Sequence, residues 1–107
     1  MDTSSATTQA FVVLVEMQIE PQHYEDFMAL MKRNAANSRD GEDGCLIFDV
    51  CIPDTAQDPP TVLLYERYVS AEAFELHLRT AHFKVFDEGS RHMIRAKSVR
   101  RYWLQAN

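Results

Sequence analysis

The chain has 107 residues, and its 11 lysines and arginines against 16 aspartates and glutamates give a formal net charge of -5. This length suits one domain with one hydrophobic core. The acidic balance excludes the basic surface that nucleic-acid-binding proteins use. No apolar run reaches the roughly 20 residues that span a bilayer, and residues 1–10 lack the features of a signal peptide. We therefore expect a cytoplasmic protein that binds neither nucleic acid nor membrane.

The first predicted element is a strand. Residues 1–9 are rich in Thr, Ser and Ala without apolar periodicity, which predicts a disordered leader before a single domain over residues 10–107. From Phe11 to Ile19, apolar residues alternate, which is typical of a half-buried strand. Val12 and Leu14 make the second face of this strand partly apolar as well.

An amphipathic helix follows the strand. Pro21 suits its first turn, and the pattern extends to about Ser38. The apolar positions recur at the i, i+3, i+4, i+7 spacing of a helix face; they are Tyr24, Phe27, Met28 and Met31. Asn34 projects about 20° from Phe27 on the helix wheel, which places it at the edge of the buried stripe.

Two further strands come next, separated by a proline-rich connection over residues 53–60. The second strand has one face with Leu46, Phe48, Val50 and Ile52, and another with Cys45, Ile47, Asp49 and Cys51. The two cysteines should lie about 20 Å apart along it, too far to bridge or to share a metal. The third strand is predicted over residues 61–69.

The rest of the chain predicts two helical pieces and a last strand. Ser70 is a candidate N-cap for a helix to about Arg79, and a second piece starts near His82. Residues 98–104 fit a strand at a sheet edge. The resulting order predicts an α+β, ferredoxin-like antiparallel sheet with its helices on one face.

The face of this sheet opposite the helices is also apolar, at Val12, Leu14, Ile47 and Leu63. A second copy packed sheet to sheet is the simplest way to cover such a surface. The pattern therefore predicts a homodimer.

Common catalytic signatures are absent: the chain has no G-x-S-x-G, no Walker loop, no G-x-G-x-x-G and no H-E-x-x-H. The candidate catalytic residues are polar groups in apolar surroundings, namely Asn34, Glu66, His77 and His82. The two histidines are about 140° apart on a continuous helix, so they converge only if the helix breaks near Thr80. A helix beginning there would favour an anionic enolate, phenolate or peroxide, and a histidine could pass a proton.

Each candidate also has a structural interpretation. The histidines and Asn34 could be ordinary helix residues, and Glu66 could be a strand-surface charge paired with a base. The aromatic residues at these spacings could be plain core, or could line a pocket for a flat molecule; those assigned to substrate binding are Tyr65, Tyr68, Phe74 and Phe83.

Several short motifs, taken together, resemble the antibiotic biosynthesis monooxygenase (ABM) family over residues 11–104. They are Asn34 through Ser38, Glu42, Gly44, Cys45 and Leu46 to Phe48-Asp49-Val50, then Tyr65-Glu66-Arg67-Tyr68, and Phe74 through His77 and Thr80 to His82-Phe83. Their order and spacing are characteristic of the family, although not of one reaction.

This resemblance implies a dimeric α+β barrel whose members oxidise quinols or other aromatic substrates with dioxygen and use no flavin, haem or metal cofactor. Relatives include a quinol monooxygenase and an isomerase of phosphorylated autoinducer-2. The pocket residues that the resemblance carries over are Asn34, Glu66, His77 and His82, with Phe83 beside them.

Three functions remain open from the sequence. The first is a cofactor-independent monooxygenase acting on a quinol or another electron-rich aromatic substrate, with dioxygen as its second substrate. The second is an isomerase of a phosphorylated hydroxyketone, in which Lys84 or an arginine holds the phosphate. The third is a non-catalytic small-ligand-binding barrel. Haem degradation ranks below these, because the chain has a single tryptophan, Trp103.

Overall fold

The structure is a computed structural model and describes residues 9–107. The predicted disordered leader lies outside the described residues except for Gln9, which is exposed. The regular elements, in chain order, are β1 (Phe11–Ile19), α1 (Tyr24–Gly41), β2 (Cys45–Cys51), β3 (Thr61–Tyr68), α2 (Ala71–His77), α3 (Ala81–Ser90) and β4 (Ile94–Trp103). Short 3-10 turns at Pro21–His23 and Arg91–Met93 precede α1 and β4.

The strands form one antiparallel sheet in the order β2-β3-β1-β4. The core lies between one face of this sheet and the helices, where Val13 and Val15 of β1 pack with Phe27 and Met31 of α1. The predicted α+β, ferredoxin-like architecture is therefore confirmed. The alternation predicted for β1 is also confirmed, because its odd-numbered residues from Phe11 to Ile19 are all buried.

The predicted alternation of β2 is wrong at its start. The pairing register with β3 shifts between Cys45 and Ile47, so Cys45 and Phe48 are both buried while Leu46 is 52% exposed. A bulge adds a residue to one strand and turns the following side chains to the other face. The two cysteines are free, as their predicted separation requires.

Helix boundaries are set by specific caps. Ser70 is the N-cap of α2, as predicted, and its side chain accepts a hydrogen bond from the backbone N–H of Ala73. The predicted helix break is confirmed: α2 ends at His77, and the side chain of Thr80 accepts from the N–H of Phe83 to start α3. A hydroxyl N-cap satisfies one of the amides left free at a helix start.

Two boundaries differ from prediction by three residues or more. Helix α1 continues three residues beyond Ser38, and the N–H of Glu42 still donates to the Ser38 carbonyl. Strand β4 begins at Ile94 rather than residue 98, and it occupies a sheet edge as predicted. Among the described residues, no helix combines the length and the apolar character needed to cross a membrane.

Candidate functional site

A small cavity of about 60 Å³ lies between the sheet and the helices. Its walls are mainly apolar, and its polar lining residues are Asn34, Glu66, His77 and Lys97. Three of these four, all except Lys97, are nearly inaccessible to solvent. Polar groups that converge on an apolar cavity are the usual sign of a small-molecule site.

The break between α2 and α3 brings His77 and His82 onto one carboxylate. The Nδ1 of His77 lies 2.8 Å from Oε2 of Glu42, and the Nε2 of His82 lies 2.5 Å from the same oxygen. A continuous helix would hold the two rings on different sides. The structure therefore brings the two histidines together as predicted, and the carboxylate of Glu42 lies between them.

A glycine allows this carboxylate to reach the histidines. Glu42 follows α1 directly, and Gly44 packs so tightly against α2 that a Cβ there would lie 2.6 Å from the Cβ of Ala73. The carbonyl of Gly44 also accepts a hydrogen bond from Val69 at 2.9 Å. Any larger residue at position 44 would push the Glu42 turn away from α2, which carries His77.

His77 is buried in an aromatic environment. Its ring lies within 6.2 Å, centroid to centroid, of the surrounding rings; these belong to Phe48, Tyr68, Phe74 and Phe83. Burial lowers the pKa of His77, although the Glu42 carboxylate opposes this effect. The ring is therefore mainly neutral at pH 7. Since Nδ1 pairs with a carboxylate, it carries the proton, and Nε2 keeps a free lone pair.

Glu66 is a second carboxyl group at the site; it lies on β3 and is buried. Its Oε1 accepts a hydrogen bond of 2.6 Å from the hydroxyl of Tyr68. Burial raises the pKa of Glu66 to about 7, while the Tyr68 hydrogen bond opposes the rise. Glu66 can therefore hold or release a proton near neutral pH. Burial also raises the pKa of Tyr68 well above its usual range, so its hydroxyl stays protonated.

Asn34 is 3% exposed, and its Oδ1 is buried with no hydrogen-bond partner among the described residues. An unpaired buried amide oxygen costs about 1–3 kcal/mol. Ser38, one turn later, donates its hydroxyl to the backbone carbonyl of Asn34 rather than to the side chain. The Asn34 Oδ1 is therefore available to accept a hydrogen bond from a molecule in the cavity.

The aromatic residues assigned to substrate binding separate into three groups. Phe74 and Phe83 line the cavity. Tyr68 is fully buried behind it, where it holds Glu66. Tyr65 lies elsewhere: strand alternation turns its side chain to the opposite sheet face, and its hydroxyl accepts a hydrogen bond from Arg67. His82 borders a neighbouring depression with Asn34 and Phe86 rather than the main cavity.

The sequence reasoning did not select two polar residues that the structure places at the site. Glu42 was part of the matching motif, but it was not a candidate site residue; it is 35 positions from His77 and 40 from His82. An acidic residue in a glycine-flanked turn was the available signal. Lys97 lines the cavity because the helix-facing register of β4 pairs it with Met17.

Burial raises the pKa of the Cys45 thiol to about 12, which makes it a poor nucleophile.

Comparisons with known proteins agree on a family. The profile of the family described as antibiotic biosynthesis monooxygenase matches residues 10–89. A comparison with curated proteins finds no match. Among solved structures, a candidate antibiotic biosynthesis monooxygenase from Bacteroides thetaiotaomicron is 26% identical, with a TM-score of 0.79 and 87% of each chain covered.

Two more distant structures support the fold alone. One is a candidate antibiotic biosynthesis monooxygenase from Nitrosomonas europaea, 23% identical, with a TM-score of 0.81 over 89% of each chain. The other has the same description and comes from Caulobacter crescentus; it is 18% identical, with a TM-score of 0.85 over 97% of each chain.

Proposed function

We propose that this chain, which belongs to the antibiotic biosynthesis monooxygenase family, is a cofactor-independent monooxygenase of a quinol or another electron-rich aromatic molecule. The observation that carries the proposal is the buried His77 at an apolar cavity, with its Nδ1 held by Glu42. Such a pairing orients an imidazole as a general base in other enzymes.

The first step is removal of a substrate proton. Nε2 of His77 accepts a proton from the acidic C–H or O–H of the substrate, and the Glu42 carboxylate stabilises the imidazolium that forms. The apolar walls favour a flat aromatic molecule, whose charge delocalises after deprotonation. The resulting anion is electron-rich enough to reduce dioxygen directly.

The second step forms the carbon–oxygen bond. For an anthrone-type CH₂ group, the carbanion adds dioxygen to give a peroxide anion, which His77 reprotonates to a hydroperoxide. His77, neutral again, takes the remaining proton from that carbon. The electron pair of the broken C–H bond forms the ketone C=O bond as the O–O bond breaks, so the substrate supplies all the electrons. The side-chain NH₂ group of Asn34 donates a hydrogen bond to the peroxide oxygen. Glu66, whose pKa is about 7, protonates the departing hydroxide.

The mouth of the cavity lies along β4. Lys97 and Val99 line the cavity and are also exposed. The enclosed volume of about 60 Å³ holds only the reacting edge of an aromatic ring system. The rest of the substrate therefore lies across the mouth, against these two β4 side chains.

A phosphorylated-hydroxyketone isomerase is the second candidate, favoured by the cation at this mouth. Lys84, the residue suggested for holding phosphate, does not line the cavity, whereas Lys97 does. In this alternative His77 moves a proton between adjacent carbons and Lys97 binds phosphate. Competition of inorganic phosphate for the cavity distinguishes the alternatives, because an oxygenase of apolar quinols should ignore it.

We also propose a homodimer that packs the sheet faces opposite the helices. Val12 on that face is buried, and Leu14, Ile47 and Leu63 are half-buried, with charged neighbours such as Arg67. In sedimentation equilibrium, Leu14→Lys should convert dimer to monomer. Val85→Lys, a matched change at an exposed residue of α3, should not. A wild-type chain that sediments as a monomer would contradict the proposal.

Oxygen consumption tests the enzymatic proposal. Purified, metal-free protein is assayed against a panel of quinols and anthrones, and wild type is compared with His77→Ala and with His92→Ala at an exposed histidine. Uptake should occur in wild type and His92→Ala, and should fall by about 10²–10⁴-fold in His77→Ala. Absence of uptake across the panel would overturn the oxygenase and favour the isomerase or a binding protein.

A further inference from the structure

The Glu42–His77–His82 cluster has the donor set of a transition-metal site. His77 Nδ1, His82 Nε2 and a carboxylate oxygen of Glu42 lie within 4.8 Å of one another. No other set of three potential ligand side chains within residues 9–107 meets this condition. The three ligands come from separate places in the fold: the turn after α1, the end of α2 and the first turn of α3.

We propose that this cluster binds one divalent first-row transition ion, with Zn²⁺ as its best representative. Two imidazoles and one carboxylate form a recurrent zinc ligand set, in which water or another ligand takes the fourth position. Imidazole nitrogens select Zn²⁺ and its neighbours, whereas Mg²⁺ and Ca²⁺ prefer oxygen ligands throughout. The site would therefore discriminate against the abundant alkaline-earth cations.

The three ligand atoms need a local adjustment to hold an ion: the two contacts of the Glu42 oxygen must lengthen, and the two histidine nitrogens, which lie within 4.8 Å of each other, must shorten their separation by at most about 1.5 Å. An ion about 2.0–2.1 Å from each ligand separates tetrahedral ligand atoms by about 3.3 Å. The Glu42 oxygen lies 2.8 and 2.5 Å from the two nitrogens, so each contact opens by less than about 1 Å. The His82 side chain is 20% exposed, against 3% for His77. His82 is thus the ligand with most freedom to move.

The cluster can be reached without passing through the apolar cavity. Glu42 lines a surface groove with Ser70 and Thr80, and His82 lines a second depression with Arg33. Neither of these openings includes Lys97 or Val99, which form the mouth along β4. An ion and an aromatic molecule therefore approach from different sides.

Metal binding would change which ring nitrogen of His77 carries the proton. With Nδ1 bound to the ion, the remaining ring proton resides on Nε2. The nitrogen that accepts a proton in the metal-free protein then becomes a donor. If the proposed oxygenase function is correct, bound Zn²⁺ inhibits it, although the metal site does not depend on that function.

The test measures ion binding on the full chain without an affinity tag. After chelator treatment, Zn²⁺ binding is followed by equilibrium dialysis, and Co²⁺ binding is followed by visible absorption. Wild type should bind one ion per chain, and excess Mg²⁺ should not displace it. Affinity should fall in His82→Ala and Glu42→Gln by at least the about 10–100-fold that loss of an outer-shell partner costs, and should stay unchanged in the control His92→Ala.

Equal Zn²⁺ affinity in wild type and His82→Ala, or no stoichiometric binding in wild type, would overturn the site. His82 is partly exposed, so this variant remains decisive even if Glu42→Gln fails to fold, which far-UV circular dichroism reports. The metal-binding test and the oxygen assay can contradict their proposals separately. Zn²⁺ binding without oxygen uptake overturns the oxygenase alone, and oxygen uptake without Zn²⁺ binding overturns the metal site alone.

Discussion

The two carboxyl groups near the cavity, the buried Glu66 and the partly exposed Glu42, have different hydrogen-bond partners. Glu66 lies on β3, and it accepts a hydrogen bond from the neutral hydroxyl of Tyr68. Glu42 lies in a turn and receives two imidazole nitrogens on one oxygen. Burial raises the pKa of Glu66 to about 7, which makes it a reservoir for a proton. Glu42 instead acts as a fixed acceptor, and the comparison shows that neighbours determine the role of a carboxyl group.

The substitution with the largest expected effect is Glu42→Gln, which removes the carboxylate that orients His77. The glutamine amide can donate to His77 Nδ1, which would leave the proton on Nε2 and the wrong tautomer at the cavity. In a related arrangement, a similar change costs about 10⁴-fold in rate, and we expect a loss on the order of 10³-fold in oxygen uptake here. Asp43→Asn, at the exposed next residue, is the control. Wild-type activity in the Glu42 variant would contradict the orienting role.

Asn34→Leu tests the unpaired amide between the two carboxyl regions. Removal of a buried oxygen without a partner should raise the free energy of unfolding by about 1 kcal/mol. The same change should reduce oxygen uptake by about 10²-fold, because a donor to the peroxide is lost. Chemical denaturation and oxygen consumption measure the two effects, with Asn37→Leu on the exposed part of α1 as control. A loss of both stability and activity would indicate a purely structural asparagine.

Glu66→Gln tests the proton reservoir. The folded pKa of about 7 exceeds the ordinary value of 4.5, so the folded state retains a proton that the unfolded state releases. The contribution of Glu66 to stability is fully present below pH 4.5 and is lost as pH rises through about 7. This difference corresponds to about 3 kcal/mol. Urea unfolding from pH 4 to 8 should show that loss in wild type and in Glu88→Gln, but not in Glu66→Gln.

Tyr68→Phe should produce the smallest effect. The Tyr68 hydrogen bond lowers the pKa of Glu66 against the effect of burial. Its removal should raise that pKa further, by up to about one pH unit. Carboxyl carbon chemical shifts of Glu66 measured against pH would report the change. Tyr65→Phe, which alters the opposite sheet face, should leave the titration unchanged, and an equal shift in both variants would contradict the assignment.

Periodicity predicted most of the fold correctly, because local side-chain patterns reflect which face of an element is buried. The strand of β1, the Ser70 cap and the helix break before His82 are examples. The bulge at Leu46 was not predicted. Both faces of β2 are apolar, so the alternation of apolar residues does not show where an extra residue is inserted. Tyr65 was assigned to the pocket as one of several aromatic residues that could line it, but strand alternation turns its side chain to the opposite sheet face.

The sequence by itself determined the order of elements, the family resemblance and the candidacy of Asn34, Glu66, His77 and His82, since these depend on short-range patterns. Tertiary structure decided that Glu42 joins the two histidines, because that contact spans 35 and 40 residues and depends on the close packing of Gly44 against Ala73. It also decided the proton affinity of Glu66, which follows from burial between sheet and helices and not from residue type.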